Sequence, residues 1–188
     1  MSIYDFSKEL PIGKWIYLPK TEDTEKFLSN KTDELFNNPR TRHGRSYSQV
    51  YNSVKMMLIE HTLVKYNPDF ILNPKRINIS DPESYAYDVV HKPSGMTVEI
   101  KRFGLSDNFK WFSYPKQALK TFLKNIDIID TLACAKFKEE TNRYAVKFML
   151  VADTKTFKEY MKTSVYNSDD MYYSHYNAAK NGDCVFNI

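Results

Sequence analysis

The run Tyr85-Ala-Tyr-Asp-Val-Val-His-Lys-Pro-Ser-Gly-Met-Thr-Val-Glu-Ile-Lys101 constrains the fold of this chain more than any other stretch. Two segments rich in aromatic and β-branched residues flank Lys92-Pro-Ser-Gly95, in which Pro93 pre-sets φ and Gly95 is free to take φ > 0. The pattern predicts a β-hairpin. Side chains alternate along its second strand, so Met96, Val98 and Ile100 share a core face while Thr97, Glu99 and Lys101 share the other. A four-residue loop pairs His91 with Met96, and counting back sets Asp88 opposite Glu99, with Cβ atoms roughly 5 Å apart. A three-residue loop would turn Asp88 to the core face, so the expectation rests on the parity of this loop.

Two carboxylates and an ammonium on one face suit metal-assisted cleavage of a phosphodiester. Asp88 and Glu99 offer hard oxygen ligands for Mg²⁺, with Mn²⁺ as a substitute, and the carbonyl of Ile100 can add a third ligand. Lys101 is expected to position the attacking water and to stabilise charge developing on phosphorus. Acid-x-Lys triplets are common: about two or three are expected by chance in a chain of this composition. A second, Asp153-Thr-Lys155, follows the apolar run Val146–Ala152. Asp153 reads as the residue that ends its strand, because the upstream acids Glu139 and Glu140 lie in a polar segment with no strand pattern.

Asp88, the Glu99-Ile-Lys101 triplet and Glu60 on the preceding helix resemble the signature of the PD-(D/E)XK phosphodiesterase superfamily, the restriction-endonuclease-like fold. The resemblance covers residues 45 to 155, in the order helix, three strands, helix, strand. Tyr87 rather than Pro precedes Asp88, and the helix after the motif carries Gln117 without a Gln-x-x-x-Tyr pattern. The resemblance implies an α/β domain whose mixed central β-sheet is flanked by helices, with residues 1–44 as an extension packed on the core and 45–188 as the nuclease domain. It implies a Mg²⁺-dependent endonuclease that leaves 5′-phosphate and 3′-hydroxyl ends, with Glu60 added to the site and Gln117 orienting water or a phosphate. DNA is the substrate it favours, and a phage, mobile-element or restriction setting fits. Cutting both strands would call for a homodimer. Two other classes stay open: a catalytically silent nucleic-acid-binding or anti-defence protein on the same fold, and a ribonuclease.

With 188 residues, 42% of them hydrophobic, the chain suits a single domain, and its net charge of +4 leans towards a polyanionic partner. Cys134 and Cys184 lack Cys/His neighbours, which argues against zinc and disulfides and for a reducing, cytoplasmic setting. The N-terminus is charged where a signal peptide would be apolar, and no run is long enough to span a membrane.

Further along, Pro11-Ile-Gly13 suggests two short strands around it, and Thr21 or Asp23 caps a helix reaching Asn37. Arg40, Arg42 and Arg45, with His43 among them, either grip phosphates or form a solvated loop. Ser46 to Tyr66 reads as one helix with a stripe of Val50, Val54, Met57, Leu58, His61 and Val64; Glu60 falls at its border and His61 within it. Phe70 to Ile79 reads as a strand. After Arg102, a loop with Gly104, Lys110, Trp111 and Phe112 could stack on bases or pack in the core. Pro115 opens a helix that buries Leu119, Phe122, Leu123, Ile126 and Ile129, and Lys116, Lys120 and Lys124 form a basic ridge on it. Tyr144 to Ala152 reads as a strand, and the tyrosine-rich segment that follows has no legible role.

Overall fold

The hairpin forms with the loop parity that the site requires. In the structure, a computed structural model, strand β3 (Val89–His91) pairs antiparallel with β4 (Met96–Arg102), His91 lies opposite Met96, and Gly95 takes φ +71°. The structure describes residues 1–42, 44–77, 86–102, 112–163 and 170–187; for Arg40, Arg76, Ile77, 112–118, Thr121, Thr163 and 170–172 it describes the backbone alone. His43, Ile79, Tyr85, Gly104, Lys110, Trp111 and Tyr166 therefore lie outside the described residues.

The remaining strands are β1 (Trp15–Pro19), β2 (Phe70–Leu72), β5 (Phe112–Pro115), β6 (Thr131–Glu139), β7 (Arg143–Asp153), β8 (Met161–Thr163), β9 (Asp170–Tyr173) and β10 (Cys184–Phe186). The helices are α1 (Ile3–Ser7), α2 (Glu22–Asn37), α3 (Pro39–Arg42), α4 (Tyr47–Met56), α5 (Leu58–Tyr66), α6 (Lys116–Lys124) and α7 (His175–Lys180). The fold is mixed α/β. Its main sheet runs β1, β7, β6, β4, β3, β2, with β10 also on β7, and a smaller sheet runs β5, β9, β8. Pairing is antiparallel except between β4 and β6, which lie parallel and are joined through α6, as a parallel connection requires a long crossover. No helix among the described residues is long and apolar enough to cross a membrane.

Three apolar clusters hold these layers. Leu119 and Phe122 of α6 pack on Leu132, Cys134, Leu150 and Ala152. On the other face, Phe6, Ile59 and Leu63 cover Val89, Val98, Ile100, Ala133 and Val151. Leu28, Val50 and Val54 join α2 to α4 beside Leu18 and Tyr144. Cys134 and Cys184 are buried free thiols that burial pushes above the usual thiol range, so neither offers a ready thiolate.

Several sequence expectations are corrected. Ser46 to Tyr66 is two helices, not one. Ser46 caps α4 through a capping box with Gln49, and the helix then breaks at Met57, whose N–H bonds back to Val54 at 2.9 Å. The break lets α4 pack on α2 while α5 packs on the sheet. Glu60, expected at the border, is 6% exposed, and His61, expected in the core, is half-buried with its ring 4.4 Å from Phe27. The segment Thr131–Glu139, including Glu139, is a strand in the middle of the sheet. Its lysines fall towards its end, where β6 runs out over α2 and α4, and Lys55 pairs with Glu139.

The first β-strand of the 70–79 region ends at Leu72 because Asn73 and Pro74 start a 3-10 turn over Pro74–Ile77. Phe112 belongs to a strand rather than a loop, and Pro115 ends that strand just before α6. Of the two short strands expected around Pro11-Ile-Gly13, the second forms as β1; α1 stands in place of the first, and Ile12 makes a single parallel bridge to Phe148.

Leu132 is fully buried under α6, whereas Ile128 is 44% exposed. Leu132→Ala is expected to cost about 2–5 kcal/mol in urea unfolding and Ile128→Ala under about 0.5 kcal/mol. Equal effects would contradict this core.

His175 supplies a pH test. It is 1% exposed, neither ring nitrogen has a hydrogen-bond partner among the described residues, and burial pushes its pKa down to about 4. The unfolded chain takes up the proton first, at about 6.5, so the neutral imidazole's contribution is complete above that pH. It is lost as pH falls from about 6.5 to about 4, at no more than about 1.4 kcal/mol per pH unit. His175→Phe should flatten that part of the stability profile relative to the parent; parallel profiles would refute it.

Candidate functional site

Asp88 sits at the bend just before β3 and is held by three hydrogen bonds. Its N–H donates to the Val98 carbonyl at 2.9 Å, its carbonyl accepts from the Asn73 N–H at 2.9 Å, and its Oδ2 accepts from the Ile100 N–H at 2.6 Å. The regular ladder ends at the Val89–Val98 pair. Asp88 thus reaches along β4 towards Ile100 instead of standing in a simple pair with Glu99. The departure does not remove it from the site, because the bond to Ile100 returns its carboxylate to β4. Along an extended strand a residue's N–H and C=O point to the same side, so the Ile100 carbonyl also faces the Asp88 edge.

Glu99 and Lys101 lie on the face of β4 away from Val98 and Ile100, as alternation dictates. The Glu99 side chain is 10% exposed and that of Lys101 36%, and the Lys101 ammonium is paired with Glu99 Oε1. Burial works against the charged ammonium. The carboxylates of Glu99, Asp88 and Glu60 outweigh it, and Lys101 titrates above the ordinary lysine range. Glu99 of β4, Asp88 of the β3 bend and Glu60 of α5 thus all act on the one ammonium of Lys101. At neutral pH Lys101 is a cation and a hydrogen-bond donor.

By donor type alone, the set would suit a hard divalent cation. Three carboxylates and one strand carbonyl provide only oxygen, without thiolate or imidazole, and the acids outnumber the single base. Asp88 is oriented by the Ile100 N–H, as a ligand needs to be. The ammonium on Glu99 stands where positive charge is favoured, so an arriving cation competes with it for that carboxylate.

Arg102 ends β4 and is exposed, and Lys120 and Lys124 are exposed on α6. Lys116 and Gln117 stand in the first turn of α6, with side chains outside the described residues, as is that of Arg40. Arg42 lies over the Phe36 ring at 4.3 Å and donates to the Arg45 carbonyl. Arg45 donates to the Thr41 carbonyl at 2.6 Å and to Ser53 at 3.0 Å. These two arginines tie the α3–α4 junction together, on the part of the fold that packs against α2. Asp153 is the last residue of β7, and its Oδ1 accepts from the Lys155 N–H at 2.7 Å, so its side chain closes a turn.

One residue was missed from the sequence. Asn73, 2% exposed, uses Nδ2 to donate to the Tyr87 carbonyl at 3.0 Å while its own N–H holds the Asp88 carbonyl. Its Oδ1 accepts from the Lys75 N–H, an Asx turn that the Asn-Pro pair could have signalled. Asn73 thus fixes the backbone that carries Asp88. Comparison with known families, with curated proteins and with solved structures returns no match to this chain.

Asn73→Ala removes the side-chain bonds to Tyr87 and Lys75 from a buried position and is expected to cost about 1–3 kcal/mol in urea unfolding. It should also speed exchange of the Ile100 amide, which donates to Asp88. Parent-like stability and exchange would mean that Asn73 does not hold this segment.

Proposed function

We propose that the chain is a metal-dependent phosphodiesterase of the PD-(D/E)XK type, an endonuclease acting on DNA. The observation that carries the reading is the Lys101 ammonium paired with Glu99 in the combined field of Asp88 and Glu60, on a hairpin of the parity the chemistry needs. Asp88, Glu99 and the Ile100 carbonyl would hold Mg²⁺, with Glu60 beside them. The bound ion would supply Lewis-acid polarisation of the phosphoryl oxygen and a more acidic water.

The chain's own residues do the rest. Lys101, protonated at neutral pH, donates to the attacking water or to a non-bridging phosphoryl oxygen, stabilising the negative charge that grows during in-line attack. It acts as a cation rather than a base, so it places the nucleophile and does not take its proton. Asp88 is kept in place by Ile100 and Asn73, which limits the motion that would blur alignment. Within the main sheet, α5, β2, β3, β4, α6 and β6 follow the order that the resemblance implies, with β5 of the smaller sheet interposed between β4 and α6. Among the basic residues, Lys120, Lys124 and Arg102 are the exposed candidates for phosphate contact, since Arg42 and Arg45 are engaged within their own junction.

The test is cleavage of supercoiled plasmid, single-stranded DNA and RNA, each with Mg²⁺ and with chelator. Metal-dependent nicking of the plasmid is expected, with Lys101→Ala and Asp88→Asn slower by about a hundredfold or more and Asp153→Asn within a few-fold of the parent. Cleavage that survives Lys101→Ala within tenfold, or that fails in Asp153→Asn but not in Asp88→Asn, would overturn the assignment. Activity on RNA alone would move the substrate, not the site.

A further inference from the structure

We propose a second metal site, formed by Glu9, Asp69 and His91, that takes a single transition-metal ion, with Zn²⁺ as the best-suited occupant. It is separate from the candidate active site. His91 packs against Phe6 and Phe70, with ring centroids 5.5 and 5.0 Å away, on the face of the hairpin that also buries Val89, Val98 and Ile100. One donor atom from each of Glu9, Asp69 and His91 lies within 4.8 Å of the other two.

The imidazole is what points to an ion. His91 is 2% exposed, and its Nε2 has no hydrogen-bond partner among the described residues. The nearest acid, Glu9 Oε2, is 3.8 Å from it, beyond hydrogen-bond range yet in the direction of the cluster. A buried polar nitrogen left in this way is costly unless something fills the gap. The other ring nitrogen, Nδ1, lies 2.8 Å from Ser94 Oγ, which fixes the ring with Nε2 directed at the acids, the usual arrangement of a ligating histidine and its outer partner.

The backbones of the three ligands are already tied to one another. Lys92, next to His91, donates its N–H to the Asp69 carbonyl at 2.8 Å; Asn67 Nδ2 donates to the Glu9 carbonyl at 3.1 Å; and the Asp69 N–H donates to Asn67 Oδ1 at 3.0 Å. Only side chains would have to move. Bonds of about 2.0–2.1 Å in a tetrahedral site bring donors to roughly 3.3 Å from one another. Glu9 is half-exposed and Asp69 exposed, so both carboxylates can close that distance while the imidazole stays put. Their solvent side leaves the fourth position to water.

One imidazole with two carboxylates favours Zn²⁺ over Mg²⁺, which prefers oxygen alone and would be drawn to Asp88 and Glu99. The bound ion would staple the segment after α1 to the turn before β2 and the end of β3.

The experiment titrates chelator-stripped protein with Zn²⁺ in the absence of Mg²⁺, following stoichiometry, affinity and the ring resonances of His91. One saturable equivalent is expected that shifts the Nε2 side of His91. Its Kd should rise by at least about tenfold in Glu9→Gln and in Asp69→Asn, both at sites accessible enough to keep the fold, and should be unchanged in Asp88→Asn. Failure of Zn²⁺ to bind saturably, unmoved His91 resonances, or the same affinity in Glu9→Gln and Asp69→Asn as in the parent would overturn the site. Loss of the Zn²⁺ equivalent in Asp88→Asn would assign the ion to the other cluster instead.

Discussion

The placement of β4 between an antiparallel partner, β3, and a parallel one, β6, is the constraint on which the rest of the structure depends. With both edges hydrogen-bonded, β4 is held in register, and the alternation of its side chains becomes a division of labour. Val98 and Ile100 are pressed into the core beneath α1 and α5. Glu99 and Lys101 emerge on the opposite face, in line with Leu132 and Cys134 of β6. A slip of one residue would exchange these sets and bury the charges in the apolar core. Thr97 guards against it. Its N–H and Oγ1 meet Asp130 Oδ2 at 2.9 and 3.0 Å, tying the start of β4 to the start of β6.

Placing acids beside an apolar cluster is expensive, and the structure offsets that cost locally. Glu60 and Glu99 are both nearly buried, and Lys101 is the cation their charge acts on. Such clusters contribute little net stability, because desolvation cancels much of the attraction, and removing one member leaves the others uncompensated. Groups held this way gather at functional sites. The bonds that Asn73 and Ile100 make to Asp88 belong to the same economy: they immobilise a carboxylate by backbone contacts, without adding a further charge.

Parts of this architecture were open to reading in the chain. Hairpin, loop parity, face assignment and the terminating position of Asp153 all follow from local rules: alternation, Pro-Gly turn chemistry and the end of an apolar run. The Thr21 cap of α2 and the Ser46 start of α4 follow from capping rules in the same way. Thr131–Glu139 was harder. Its lysines obscure the pattern of a strand whose first five residues are all buried, and only its pairing on both edges makes it central. The small sheet joins Phe112–Pro115 to Asp170–Tyr173, more than fifty positions apart, and no local pattern announces such a pair.

The sequence by itself determined which residues could share the site face of one strand, because a period of two is a property of the backbone and needs no partner. It determined where the turn lies, because Pro93 fixes its own φ wherever it is placed and Gly95 readily takes the positive φ that the turn needs. Tertiary structure alone decided that Glu60 is buried and His61 only half-buried, against Phe27. That choice depends on how α5 packs, with Ile59 and Leu63 against the sheet. It also decided that Asp88 is held from two sides, by Asn73 and by Ile100, and that Glu9, Asp69 and His91 converge. These residues are brought together by packing between distant segments, and the free energy of that packing is set by the whole core rather than by any run of neighbours.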